Sequence, residues 1–111
     1  MEVKATAKGL RTSPQKMRLI VDSIRGQKAE DAIKILDFMP SPNAKAVSKV
    51  VKSAVANAEN NFQMAPSDLT IVKAYVGEGA MMKRMRFTGR GRVSPLLKRM
   101  CHVTIVVEET V

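Results

Sequence analysis

The feature that most restricts the fold of this chain is a long segment, residues 77–100, between two strand-like segments. The flanking residues 69–76 and 101–107 are rich in β-branched side chains, which favour strands. A structureless loop of this length is uncommon inside a small domain. We therefore predict an extended β-hairpin with its tip at residues 87–92, where glycines permit the turn. At ~3.3 Å per residue, an arm of about eleven residues projects roughly 35 Å.

The charge of the chain is divided into blocks. The 19 basic and 10 acidic residues give a net charge of +9. Residues 1–25 carry +4, residues 26–82 carry no net charge, residues 83–99 carry +7 with no acid, and the last twelve residues carry −2. A polyanion facing the two basic blocks explains this division, because each neutralised phosphate releases a condensed counterion. The alternatives are a solvated charged face or a basic tail, and a position between two strands argues against a tail.

Twelve basic residues in the two blocks are the predicted phosphate contacts. They are Lys8, Arg11, Lys16, Arg18, Arg25, Lys83, Arg84, Arg86, Arg90, Arg92, Lys98 and Arg99. Three further lysines, Lys45, Lys49 and Lys52, line one stripe of a predicted helix at positions i, i+4 and i+7. That stripe is either a solvated face or a second binding ridge, and the spacing fits both interpretations.

The rest of the chain predicts a small α+β body. Residues 2–8 alternate in polarity as a strand does. Ser–Pro pairs mark helix starts, because the serine caps the helix and the proline occupies its first turn. Helices are predicted from Ser13-Pro14 to Gly26, from Ala29 to Leu36 before Pro40, and from Ser41-Pro42 to a stop formed by Asn60-Asn61 with Pro66. Each has an apolar stripe at helical spacing, and the stripe of the third helix extends to Phe62. We expect a small three-stranded antiparallel sheet with three helices on one face and a long extended β-hairpin. Residues 1–111 then form one domain, from which residues 77–100 protrude.

Composition excludes several classes of function. One Cys and one His are too few for a disulfide framework or a conventional zinc site. Cys101 and His102 are neighbours in a strand, so they point to opposite faces and cannot form a nucleophile–base pair. No apolar run exceeds three residues, so we predict a soluble intracellular protein without a membrane span. We expect no catalytic residues, metal or cofactor. The alternatives are a nucleoid-type DNA-binding protein with a basic arm and, from another class, a small hydrolase or transferase.

Several blocks of the sequence together resemble one known family, that of large-subunit ribosomal protein twenty-two. The blocks are Ser-Pro-Gln-Lys-Met-Arg-Leu at 13–19 with Ile24-Arg25-Gly26, Ala-Val-Ala-Asn-Ala-Glu-Asn at 54–60, Val-Gly-Glu-Gly at 76–79 with Met-Lys-Arg at 82–84, Gly91-Arg92, Lys98-Arg99, and His-Val-Thr-Ile-Val-Val at 102–107. The resemblance covers almost the whole chain in the right order.

The resemblance implies a structural, non-catalytic protein that binds large-subunit rRNA early in ribosome assembly. It implies that the hairpin lines the nascent-peptide exit tunnel, with a tip made of Phe87, Thr88, Gly89, Arg90, Gly91 and Arg92. The implied partners are large-subunit rRNA, neighbouring ribosomal proteins, the nascent peptide and, indirectly, macrolide-type antibiotics. The implied location is the cytoplasmic ribosome, and the compact length is also compatible with an organellar one.

Overall fold

The fold consists of three helices, five strands and a short 3₁₀ turn. The computed structural model describes residues 2–79, 82–89 and 91–109, with side chains at 2–79, 89, 91 and 99–109. In chain order the elements are β1 (Glu2–Leu10), α1 (Pro14–Ile24), α2 (Ala29–Phe38), α3 (Pro42–Phe62), the 3₁₀ turn Pro66–Asp68, β2 (Leu69–Glu78), β3 (Met82–Gly89), β4 (Arg92–Lys98) and β5 (Cys101–Glu109).

Strands β1, β5 and β2 form one antiparallel sheet in that order. Ala5 lies opposite Ile105, and Ile71 lies opposite Val107, so β5 is the central strand and pairs with both β1 and β2. Helix α3 packs on β1 and β5, α1 packs on β2, and α2 packs on α3. The predicted α+β class and three-stranded antiparallel sheet are confirmed.

Local sequence signals set the helix ends. Ser13 Oγ accepts from the Lys16 N–H at 3.3 Å, and Ser41 Oγ accepts from the Asn43 N–H at 3.3 Å. Both serines thus cap helices that begin with proline, as predicted. Helix α3 ends at Phe62, between Asn60-Asn61 and Pro66 as predicted, and the chain leaves the helix at Gln63, which adopts a left-handed φ of 53°.

The core lies between the helices and the sheet. Its fully buried large side chains come from every layer: Met17, Val21 and Ile24 of α1, Leu36 of α2, Val47 and Val51 of α3, and Leu69, Ile71, Val103, Ile105 and Val107 of the sheet. The predicted apolar stripes are therefore the buried faces of the helices. Phe62 is the exception, because at the last residue of α3 it stays 47% exposed.

Strands β3 and β4 form a separate two-stranded sheet. Their register runs from the pair Met82–Lys98 to the pair Gly89–Arg92, which places the turn inside the predicted tip, residues 87–92. This ladder confirms the predicted hairpin, although Arg90 lies outside the described residues. The molecule measures 65 × 26 × 17 Å, and its radius of gyration is 17.0 Å. A compact chain of this length has a radius of roughly 13 Å, so the molecule is elongated.

Candidate nucleic-acid interface

The predicted contacts of the first basic block are all exposed, but they differ in their bonding. Lys8 and Arg11 have no hydrogen bond or ion pair within the described ranges, and Lys16 extends from the first turn of α1. The N–H groups of that first turn point out of the helix and favour an anion. This end of the body therefore offers unpaired positive charge beside a helix N-terminus.

Arg18 and Arg25 instead hold part of the fold together. Arg25 donates from Nε and Nη2 to the Ala74 carbonyl oxygen at 3.1 and 2.6 Å, and its Nη2 lies 2.8 Å from Asp22 Oδ1. Arg18 donates from Nη2 to the Val76 carbonyl oxygen at 3.4 Å. A guanidinium has five N–H donors, so each side chain keeps donors for a ligand while it binds β2.

The two basic blocks meet at the base of the hairpin. A cleft of about 190 Å³ is lined there by Pro14, Gln15, Arg18, Glu78, Gly79, Arg99 and Met100. Arg18 from the first block and Arg99 from the second lie in this one cleft, at opposite ends of the sequence. Glu78 is the only carboxylate among its lining residues.

Gly79 fixes the position of the chain at this cleft. Its N–H donates to the Met100 carbonyl oxygen at 2.9 Å. A Cβ at this position would lie 3.1 Å from His102 Cε1 and 3.2 Å from the Met100 carbonyl carbon. Since these contacts are tighter than ordinary side-chain packing, glycine allows the two strands to approach where they enter the hairpin.

The remaining predicted contacts lie on or next to the hairpin. Lys83, Arg84 and Arg86 belong to β3, Arg92 and Lys98 belong to β4, and Arg99 follows β4 and is exposed. Arg84 lies opposite Leu96, and Arg86 lies opposite Ser94. The structure therefore brings the five residues of β3 and β4 onto one ladder, with Arg99 just beyond its end. Of the predicted tip, Phe87 and Thr88 are in β3, and Gly89 and Gly91 have φ values of 105° and 76°.

Cys101 and His102 have separate surroundings. Cys101 is fully buried in the core, and burial raises the pKa of its thiol. His102 is half-buried, and its Nδ1 accepts the Gly9 N–H at 3.0 Å. Among the described residues, no three His, Cys, Asp or Glu side chains are grouped to hold a metal ion. In the same part of the chain, no helix is both long and apolar enough to cross a membrane.

One feature of this surface was missed by the sequence prediction. A groove of about 400 Å³ runs between β1 and α3, and Lys45 and Lys49 line it, whereas Lys52 does not. The lysine stripe on α3 is therefore divided between a groove and an open face. The i, i+4 spacing pointed to the stripe, but the depth of the groove depends on how α3 packs against β1.

The fold and its charge define a class: a small α+β protein with a three-stranded antiparallel sheet and a separate basic two-stranded hairpin. The chain belongs to the family described as ribosomal protein L22p/L17e, whose model matches residues 5–108. It is similar to the large ribosomal subunit protein uL22 of three strains of Dehalococcoides mccartyi. In each case 59% of residues are identical over 109 positions, which cover 98% of this chain and all of the relative.

Proposed function

We propose that this chain is a structural, non-catalytic constituent of the large ribosomal subunit that binds large-subunit rRNA. Membership of the family and the names of the relatives support the assignment to that subunit. The charge pattern supports rRNA as the direct ligand, because neutralisation of phosphates is what two basic blocks provide. The proposed location is the ribosome in the cytoplasm.

The observation that carries this proposal is the basic hairpin. Residues 83–99 have seven basic side chains and no acid, and most of them belong to a ladder with no other strand paired to it in the described residues. An isolated two-stranded hairpin is marginal in water, so it needs a surface to lie against. Its charge requires that surface to be anionic, and folded RNA meets the requirement through its shape and its phosphates.

We assign different roles to the body and the hairpin of a single domain, residues 1–111. The exposed charges near α1, among them Lys8, Arg11 and Lys16, would anchor the body during early assembly. The protruding segment, residues 77–100, would then line the nascent-peptide exit tunnel with its tip. Its neighbours there would be rRNA, other large-subunit proteins, the nascent peptide and, indirectly, macrolide-type antibiotics.

The salt dependence of rRNA binding tests the proposal. If about seven to ten phosphates are neutralised, the logarithm of the affinity should fall with the logarithm of the salt concentration at a slope of about −5 to −9. The double variant Arg84→Glu/Arg99→Glu should flatten the slope and weaken binding. The control Lys34→Glu, from the neutral part of the chain, should do so much less.

Two results would contradict the proposal. A slope shallower than about −2 would exclude phosphate neutralisation as the main source of affinity. Equal or tighter binding to duplex DNA than to folded rRNA at matched salt would favour the nucleoid-type alternative. The comparison uses the full chain, in vitro-transcribed large-subunit rRNA and a random-sequence DNA duplex.

A further inference from the structure

The two outer edges of the three-stranded sheet differ in how their backbone groups are hydrogen-bonded. At the edge formed by β2, the Ile71 carbonyl accepts from Gly26 N–H and the Ile71 N–H donates to the Gln27 carbonyl, both at 2.9 Å. Arg25 and Arg18 occupy the Ala74 and Val76 carbonyl oxygens further along. Backbone and guanidinium groups thus close this edge to another strand.

The edge formed by β1 is open. Within the described ranges, β5 is the only strand that pairs with β1. The one described side-chain bond to the β1 main chain is that of His102 with Gly9, which comes from the β5 side. An exposed edge presents a row of unpaired N–H and C=O groups, which is a template for another strand.

The groove between β1 and α3 lies along this open edge. Its lining residues are Ala5, Thr6, Ala7, Leu10, Pro42, Lys45, Ala46, Lys49, Val50 and Ser53. Ala5 and Thr6 belong to opposite faces of β1, so the groove includes the edge of the strand. The regular part of this edge runs from Glu2 to Ala7, before the register shifts between Ala7 and Leu10. It extends about 17 Å at ~3.3 Å per residue, which is enough for roughly five residues of an added strand.

Positive charge surrounds this edge on both sides. Lys4 and Lys8 are exposed on the face of β1 that points away from the helices, and Lys45 and Lys49 are exposed at the groove. None of the four side chains has a hydrogen bond or ion pair among the described residues. On a strand added to β1, acidic side chains directly opposite Lys4 and Lys8 would lie close enough to pair with the two ammonium groups.

We propose that the β1 edge and its groove bind an extended segment of another protein in which apolar and acidic residues alternate. The segment adds a strand to β1, places its apolar side chains over Ala5, Ala7 and Val50, and presents its carboxylates to Lys4 and Lys8 on the opposite face. A row of RNA phosphates fits this surface less well, because phosphates accept hydrogen bonds but donate none. It would leave the open carbonyl groups and the apolar floor uncovered. The inference does not depend on rRNA binding by the hairpin.

The probe is the capped peptide acetyl-Glu-Val-Glu-Val-Glu-Val-Glu-amide, titrated into the ¹⁵N-labelled full chain and followed by amide chemical shifts. We expect saturable shifts confined to β1 and residues 42–53. The double variant Lys4→Glu/Lys8→Glu should weaken binding about tenfold, as two surface charge pairs do. The control Lys34→Glu/Lys52→Glu changes net charge equally but lies outside the groove, and it should change the affinity less than about twofold.

A second peptide tests strand addition as distinct from charge attraction. Methylation of alternate backbone nitrogens removes the donors that face β1, so binding should be lost. Equal binding of the methylated peptide would overturn the proposal, and so would the absence of saturation at millimolar peptide. Tighter binding of a short oligouridylate to the same residues at the same ionic strength would show an RNA surface instead. Retained amide dispersion in each variant verifies its fold.

Discussion

Arg25 donates two hydrogen bonds to the Ala74 carbonyl oxygen, at 3.1 and 2.6 Å, across 49 residues of sequence. The same guanidinium lies 2.8 Å from Asp22. An arginine expected at an RNA interface therefore also connects the end of α1 to the outer edge of β2. The guanidinium can direct two N–H groups at one carbonyl oxygen, whereas the ammonium group of a lysine is a compact point charge.

Replacement of Arg25 should destabilise the free protein. Arg25→Ala removes both bonds to Ala74, and we expect a loss of about 1 kcal/mol in the free energy of unfolding. A hydrogen bond from a charged donor contributes about 1.5–3 kcal/mol, and partial exposure reduces this value. Urea unfolding measures the change. Arg25→Lys should recover less than half of it, and Lys34→Ala, at an exposed site on α2, should have almost no effect. If Arg25→Ala unfolds like the wild type, the contact to β2 contributes nothing to stability.

Gly79 and Gly77 form a matched pair for testing the base of the hairpin. A Cβ at Gly79 meets His102 at 3.1 Å and the Met100 backbone at 3.2 Å, whereas a Cβ at Gly77 meets nothing within 4 Å. Gly79→Ala should lower stability by about 1–3 kcal/mol, as overpacking does. Gly77→Ala should be neutral or slightly stabilising, because it reduces the entropy of the unfolded chain. Thermal unfolding compares the two. Identical melting temperatures would show that the backbone at Met100 moves freely.

The parts of the fold that were predicted are those that local chemistry decides. The caps Ser13 and Ser41 and the prolines that follow them lie within a few residues of the groups they bond or replace. The strand on either side of the hairpin was likewise predictable from residue types. Phe62 shows the limit, since its spacing fits the buried stripe of α3 but its place at the helix end leaves it exposed.

The parts that were missed depend on contacts distant in sequence. Nothing near Arg18 or Arg25 indicates that carbonyl groups of Val76 and Ala74 lie beside them. The groove likewise depends on how α3 packs against β1, which only the folded chain determines. Basic residues are therefore easy to find in the sequence. Which of them are free to contact RNA, and which bond to other parts of the fold, cannot be predicted from it.

Cys101 should make the protein less stable at alkaline pH. Burial raises the pKa of its thiol above the ordinary value of 9.0. Above that value the unfolded chain loses the thiol proton while the folded chain keeps it, so stability falls as pH rises. One such group contributes at most about 1.4 kcal/mol per pH unit. The free energy of unfolding, measured under reducing conditions between about pH 8 and pH 10, should decline more steeply in the wild type than in Cys101→Ala. Parallel curves would show that the thiol ionises equally in both states.

A deletion in β3 separates an assembly role of the hairpin from a tunnel role. Removal of Met82, Lys83 and Arg84 shortens one strand by three residues, beginning at the pair Met82–Lys98. Alternate side chains of a strand point to opposite faces. Deletion of an odd number of residues therefore moves every later side chain to the opposite face, until a bulge restores the register. The exposed charges near α1 are untouched. We therefore expect normal incorporation into large subunits, together with a displaced tip that changes macrolide occupancy and the response to stalling peptides.

Both readouts must come from the same strain, and deletion of two residues, Met82 and Lys83, is the matched control. An even deletion shortens the strand but keeps the facing of the later positions. If facing determines the shape of the tunnel, the three-residue deletion should alter drug occupancy more than the two-residue deletion does. Failed incorporation of the three-residue variant would show that the hairpin is an assembly anchor. Normal incorporation with unchanged occupancy and stalling would contradict a tip that lines the tunnel.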